Sequence, residues 1–330
     1  MHVAWLLAFV PGASALAPAS GSAALDAFSG FLAEQQAALV SAYEAIDGSG
    51  ATFGSDVWSR ADGSSGVTRV LQRGAVIDKG CVSTSFVRGA LSPARAAAMT
   101  ARGRAGVDAG APFAAAALSI VLHAKSPQVP TFRADIRLFC VFDAEGRVAD
   151  SWYGGGADLT PTYVYDDDCV HFHTTLRTVC DKHDATLYPA LKKQCDEYFY
   201  LPFRQEHRGV GGIFYDDCTA SEVAFDPDAF SRDVLGSWIE AWRPIVDRRR
   251  DAPFTAAQKE WQLMRRGRYL EFNLMADRGV RFGLSPDAIE RVMVSAPPIV
   301  AWEYNAKVEQ GSPEANLVHL LKNPRNWLAA

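Results

Sequence analysis

Three runs of β-type residues, Leu118 to His123, Asp135 to Phe142 and Val148 to Tyr153, follow one another closely. The last two are joined only by Asp143-Ala144-Glu145-Gly146. A parallel pair needs a crossover of about a dozen residues or more, so connections this short impose antiparallel neighbours. Upstream, Val67 to Leu71 alternates, turns at Arg73-Gly74 and returns, which predicts a hairpin. Downstream, Val210 to Asp216 and Tyr269 to Met275 have strand character. Helical spacing marks Phe28 to Ile46, closed by Asp47-Gly48, then Asp168 to Cys180, Leu187 to Tyr200, Phe230 to Arg249 and Ala256 to Arg265. Ser312 caps a last helix with Pro313 in its first turn. Gly48 to Gly66 reads as a long loop, and the Ala-rich segment Ser92 to Ala116 as helix interrupted by glycine. Strands in one meander with helices between and after them specify an α+β domain.

A chain of 330 residues that is 48% hydrophobic can bury a large core, and neither linker nor repeat divides it. The net charge of −5 is spread without long acidic or basic blocks, so no field recruits nucleic acid or an anionic membrane. Arg248, Arg249 and Arg250 form the densest basic cluster and read as a solvated helix end. The six cysteines lack CxxC spacing and read as free thiols. Ala4 to Val10 is a short apolar run followed by Pro11-Gly12 and Ala13-Ser14-Ala15, the pattern of a cleaved signal peptide over 1–15. That leaves one domain over 16–330. The apolar run is too short to span a bilayer, so no membrane span is expected.

Chemistry-bearing residues concentrate after Ser119. Gly154-Gly155-Gly156-Ala157-Asp158-Leu159-Thr160-Pro161 follows a strand, and its glycines admit close backbone approach beside an acid. The run lacks the Lys-Ser/Thr ending of a phosphate loop. On pattern alone a tight structural turn is the favoured reading. Ser119 and His123 lie an even number apart on an alternating run and face one side. His171 and His173, two apart on a helix, diverge by about 200° and cannot share an ion.

Taken in order, this glycine-acid stretch, His171-Phe172-His173, Cys195 to Tyr200, Arg208 to Asp217, Arg265 to Leu274, and Pro297-Pro298 before Trp302-Glu303-Tyr304 resemble the oxygen-dependent coproporphyrinogen-III oxidases. The resemblance implies a large antiparallel sheet flanked by helices on both faces, in a homodimer. The implied partner surface runs from Tyr269 to Glu303, where Phe272, Leu274, Val292 and Val294 serve either interface or core. It implies conversion of two propionates of coproporphyrinogen III to vinyl groups, giving protoporphyrinogen IX, with dioxygen as co-substrate and no organic cofactor. With the leader, it implies a plastid of algal type; the cytoplasm or the secretory route is the alternative. Carried onto this chain, Asp158, Arg133 and His173 stand at catalytic positions. Ser119, His123, Asp135, Arg137 and Arg208 stand at substrate-binding positions.

The match departs at several places. Where the family has Val-Pro-Thr, a variable residue, then His-x-Asn-x-Arg, this chain has Val129-Pro130-Thr131-Phe132-Arg133-Ala134-Asp135-Ile136-Arg137. Arg133 keeps its proton up to a pH of about 12 and cannot relay one as imidazole does. Asp135 is expected to pair with it. Phe203 stands in place of a histidine, and Ser285-Pro286-Asp287-Ala288 in place of a Gly-Gly-Arg loop. With only His123 and His173 left of four such histidines, no metal site is expected. Two readings stay open: a working oxidase, and a paralogue that binds a tetrapyrrole or a partner without turnover.

Overall fold

The structure, a computed structural model, describes residues 23–104, 107–277 and 289–329. The leader and Ser285-Pro286-Asp287-Ala288 lie outside the described residues. Seven strands form one antiparallel sheet: β1 (Gly54–Ser59), β2 (Ser65–Gln72), β3 (Ile77–Ala90), β4 (Pro112–Ala124), β5 (Thr131–Phe142), β6 (Val148–Thr160) and β9 (Gly211–Cys218). They lie side by side in chain order. Two short strands, β7 (Tyr200–Leu201) and β8 (Glu206–His207), form a separate ladder.

Alternation divides the sheet into two faces. Leu118, Ile120 and Leu122 of β4 and Phe132, Ala134, Ile136 and Leu138 of β5 enter the main core. That core is covered by α1 (Ala23–Asp47), α3 (Asp166–Asp181), α5 (Pro227–Gly236) and α6 (Trp238–Arg249). The opposite face carries one apolar cluster around Trp58, Phe113, Phe139 and Trp152, under α2 (Pro93–Thr100). A second gathers Cys195, Phe199, Phe214 and Phe272, from α4 (Leu187–Tyr198) to the π-helical turn Phe272–Ala276 that follows α7 (Ala256–Glu271). A charged region lies between these clusters. Among the described residues no helix is long and apolar enough to cross a membrane.

The first helix and the hairpin are locked together through one carboxylate. Asp47, at the end of α1, accepts from the amides of Ala75, Val76 and Ile77 at 3.1, 2.9 and 2.8 Å. A Cβ on Gly74 would come within 2.3 Å of that carboxylate, so the turn needs glycine. Arg250 donates to the carbonyls of Ile46 and Asp47, and Arg248 and Arg249 pair with buried Asp168 at 2.8 and 2.7 Å. These arginines are therefore staples between helices, not a solvated helix end. All six cysteines are free and buried.

Other expectations are corrected. Only Pro93–Thr100 of the Ala-rich segment is helical, while Ala114 to Ala117 lie inside β4. Pairing on both sides overrides alanine's helix preference, and the small side chains suit a strand buried on both faces. The supposed loop contains β1. Phe230 to Arg249 is two helices that meet at Ser237, and Tyr269 to Ala276 continues α7 into the π-helical turn rather than forming a strand.

Candidate active site

Register brings the charged residues together. Asp135 pairs with Ser119 on β4 and Gly156 on β6; Arg133 pairs with Val121 and Asp158; Arg137 pairs with Ala117 and Gly154. Gly212 of β9 lies opposite Asp158. The glycine run is therefore no turn but the middle of β6. A Cβ on Gly154 would meet the Arg137 guanidinium at 2.6 Å, and one on Gly156 would meet the Ile213 carbonyl at 2.4 Å. Glycine is used where a guanidinium lies flat on a strand.

The result is a chain of alternating charges. Arg208 donates to Asp158 Oδ2 at 2.6 Å, and Arg133 lies 3.6 Å from Asp158 Oδ1 and 2.7 Å from Asp135 Oδ1. Arg137 donates to Asp135 Oδ2 at 2.7 Å and to Asp216 at 2.9 Å. The expected pairing of Asp135 with Arg133 is present, and Asp135 also takes Arg137. All of these side chains are buried or nearly so. Aromatic faces of Phe199, Tyr269 and Phe272 lie 3.9, 4.6 and 4.8 Å from the Arg208 guanidinium carbon. Burial works against the charge on Arg133 and Arg208. Asp135 and Asp158 outweigh it at Arg133, and Asp158 does so at Arg208, so both guanidinium pKa values lie above the ordinary one. Asp158 Oδ1 accepts no hydrogen bond among the described residues.

Over this lattice opens a cleft of about 990 Å³, its solvent-filled mouth included. Its walls include Ser119, Arg133, Asp135, Arg208 and Tyr269. Asp158 and Arg137 lie beneath, joined to those walls by the ion pairs. His123 shares the face with Ser119 but stands behind Tyr269, their rings meeting edge to face at 5.1 Å. Its Nε2 donates to the Ser295 carbonyl at 3.0 Å, which leaves Nδ1 to accept from the Thr131 hydroxyl at 3.3 Å. Burial above all, with Arg266 nearby, pushes its pKa down to about 3.

His173 is not brought to the cleft. It sits within the helices of the opposite face, where Nε2 donates to the Val210 carbonyl at 3.2 Å and Tyr188 donates to Nδ1 at 2.9 Å. Its ring stacks on Trp327, and burial lowers its pKa to about 3. His171 donates to the Glu240 carbonyl, and Phe203 is exposed between β7 and β8. Among the described residues no three His, Cys, Asp or Glu side chains converge on one point. The sequence assigned no role to Asp216 or Tyr269, which hold Arg137 and Arg208. Asp216 could be found from its place beside Phe214 on alternating β9; Tyr269 could not, because the pattern of its segment predicts a strand.

Residues 27–327 match the family model described as coproporphyrinogen III oxidase. The chain is 43% identical to the chloroplastic oxygen-dependent coproporphyrinogen-III oxidase of Glycine max, over 91% of this chain and 79% of the relative. It is 44% identical to that of Hordeum vulgare, over 92% and 80%. It is 43% identical to the mitochondrial enzyme of Homo sapiens, over 89% and 65%.

Proposed function

The chain belongs to the coproporphyrinogen III oxidase family, and from that premise we propose that it converts two propionates of coproporphyrinogen III to vinyl groups, giving protoporphyrinogen IX with dioxygen as acceptor. In each conversion the carboxylate leaves as carbon dioxide, the carbon bonded to the pyrrole gives up a hydrogen with its electron pair, and those electrons end on dioxygen. The pyrroles of a porphyrinogen are electron-rich enough to be oxidised directly once an N–H is deprotonated, so no organic cofactor is called on. The protein orients the macrocycle and places charge.

One observation carries this reading. Asp158 is a buried carboxylate, one oxygen of which accepts no hydrogen bond among the described residues, and it is ion-paired to Arg133 and Arg208, which wall the cleft. Pyrrole N–H groups supply donors, and guanidinium groups suit the four substrate carboxylates. Ser119 and Asp135 line the same floor. Because Arg133 is held charged and His123 and His173 are held neutral away from the cleft, the pyrrole N–H proton leaves to water in the open cleft, and dioxygen takes the hydride with a proton to give hydrogen peroxide. His123 acts by holding the cleft wall rather than by touching substrate.

The test is incubation of purified protein with anaerobically prepared coproporphyrinogen III in air, followed by chromatography for vinyl products. Absence of product with substrate still bound would replace the enzyme with a second reading, a tetrapyrrole-binding paralogue. The ion pair of Arg133 with Asp135, standing 3.6 Å from Asp158, is the observation that favours that alternative.

The protein further acts as a homodimer. Leu274, Met275, Ile289, Ile299 and Trp302 expose apolar surface along the expected partner segment, with Tyr304 just beyond it, whereas Phe272 and Val292 are buried. Sedimentation should give twice the chain mass. Chloroplastic plant relatives and the leader pattern support a plastid location, which a fluorescent fusion to the first residues would test.

A further inference from the structure

The end of the cleft away from Asp158 has a different chemistry. Thr68, Ser83 and Ser85 line its floor. Thr68 pairs with Ser83, Ser83 with Ser119 and Ser119 with Asp135, so one row of hydroxyls runs across three strands and meets the charge lattice on the fourth. Over this floor stands Arg291 on α8 (Ile289–Met293), its guanidinium carbon 5.2 Å from the centre of the Trp58 ring. Trp58 lies across Gly66, where a Cβ would come within 2.6 Å of the indole.

The position of α8 is set by the sheet. Lys79 on β3 donates to the carbonyls of Met293 and Ala296 at 3.3 and 3.0 Å, and His123 on β4 donates to that of Ser295 at 3.0 Å. Those bonds hold the segment that carries Arg291 above the hydroxyl row. Arg291 approaches from the other wall, three residues beyond Ala288, where the resembling enzymes have their Gly-Gly-Arg loop.

We propose that Arg291, backed by Trp58 and with Ser83, Ser85 and Thr68 below it, binds one propionate carboxylate of the substrate at this end of the cleft. The inference rests on the proposed function in taking a propionate-bearing macrocycle as ligand. A guanidinium fork with hydroxyl donors is complementary to an aliphatic carboxylate, and the indole packs the alkyl stem. Lys79 and His123 then act as positioning residues.

Coproporphyrin III, the oxidised macrocycle with four free carboxylates, and its tetramethyl ester in detergent are the probes, read by fluorescence quenching. Arg291→Met should weaken binding of the free acid by roughly tenfold, the scale of one charge-assisted hydrogen bond. Arg291→Lys should recover most of that loss, and affinity for the ester should not change. In turnover, KM for coproporphyrinogen should rise while kcat stays within about twofold, the sign of lost ground-state binding. Unchanged affinity for the free acid, or an equal loss for acid and ester, overturns the proposal. Should Arg291→Met not fold, Ser83→Ala with Ser85→Ala reads the same subsite: about threefold weaker for the acid and unchanged for the ester, with equal binding of the acid overturning it. Wild-type protein that binds coproporphyrin but forms no vinyl product would sink the proposed function and leave this subsite standing. Wild-type protein that does not bind would sink both.

Discussion

On β5, Phe132, Ala134, Ile136 and Leu138 point into the helices while Arg133, Asp135 and Arg137 point toward the cleft, and both sets are shut off from solvent. The first set is held by contact among apolar surfaces, where each lost atom costs in proportion and the neighbours relax part of the way. The second is held by mutual charge. Arg208, Asp158, Arg133, Asp135, Arg137 and Asp216 stand in sequence, each contacting the next, three cations against three anions. Ions buried in this way cost several kcal/mol each in lost hydration, which only their partners offset. One strand thus carries a face that degrades gradually and a face that fails when a single member is removed.

Asp158→Ala should produce the largest effect. Turnover should fall by at least about a hundredfold, because the acceptor for the pyrrole N–H groups is gone. Stability should fall by roughly 3–5 kcal/mol, because Arg208 and Arg133 lose a buried counter-charge. Product chromatography and urea unfolding read the two quantities. Unchanged turnover would remove Asp158 from the mechanism whatever the stability showed. Phe132→Ala, on the same strand but facing the other way, should cost a similar roughly 3–5 kcal/mol. Its kcat per folded molecule should stay within about twofold of wild type. A large loss of kcat there would show that the two faces are not independent.

Gly154→Ala should have a smaller effect. The added Cβ meets the Arg137 guanidinium, so the clamp on Asp135 and Asp216 must shift, at roughly 1–3 kcal/mol and a several-fold loss of turnover. Arg137→Lys in the same background should regain some stability, because the slimmer ammonium clears the Cβ. No regain would place the strain in the backbone. Arg133→His together with Asp135→Asn restores the residues of the resembling enzymes, removes one guanidinium and one carboxylate at once, and leaves Asp158 Oδ1 more open. Turnover should rise a few-fold. A fall would show that this chain has adapted to its own ion pair.

The meander, most helices and the common side of Ser119 and His123 were legible in the sequence. What failed, failed for identifiable reasons. Glycines 154 to 156 read as a turn because local pattern cannot show that Arg137, seventeen residues before Gly154, lies on the first of them, and that Tyr215 and Ile213 of β9 crowd the other two. Alanines 114 to 116 read as helix because propensity ignores partners on both sides. His173 matched a functional position by motif, yet its surroundings come from Tyr188, Val210 and Trp327, distant segments that only the fold assembles. Arg291 stands in none of the motifs that carry the resemblance, so local pattern does not mark it.

The smallest expected effect is one that the two faces share. His123 on the cleft side and His173 on the helix side are both buried, and both have pKa values lowered from 6.5 to about 3. Below pH 6.5 the unfolded chain binds protons at these positions while the folded chain refuses them, so the stability contributed by the neutral rings is complete above pH 6.5 and lost as pH falls toward 3. Each ring adds up to about 1.4 kcal/mol per pH unit to the slope. Ordinary carboxylates take up protons mainly below about pH 5, so the interval from about 6.5 to 5.3 is the one the histidines dominate. Urea midpoints measured across that interval should fall with acidification in wild type. His123→Gln and His173→Gln should each remove about one proton from the slope, since glutamine can replace the donor without titrating. If only one variant flattens the profile, the other histidine is reached by water in the native state, and the two faces differ in how dry they are.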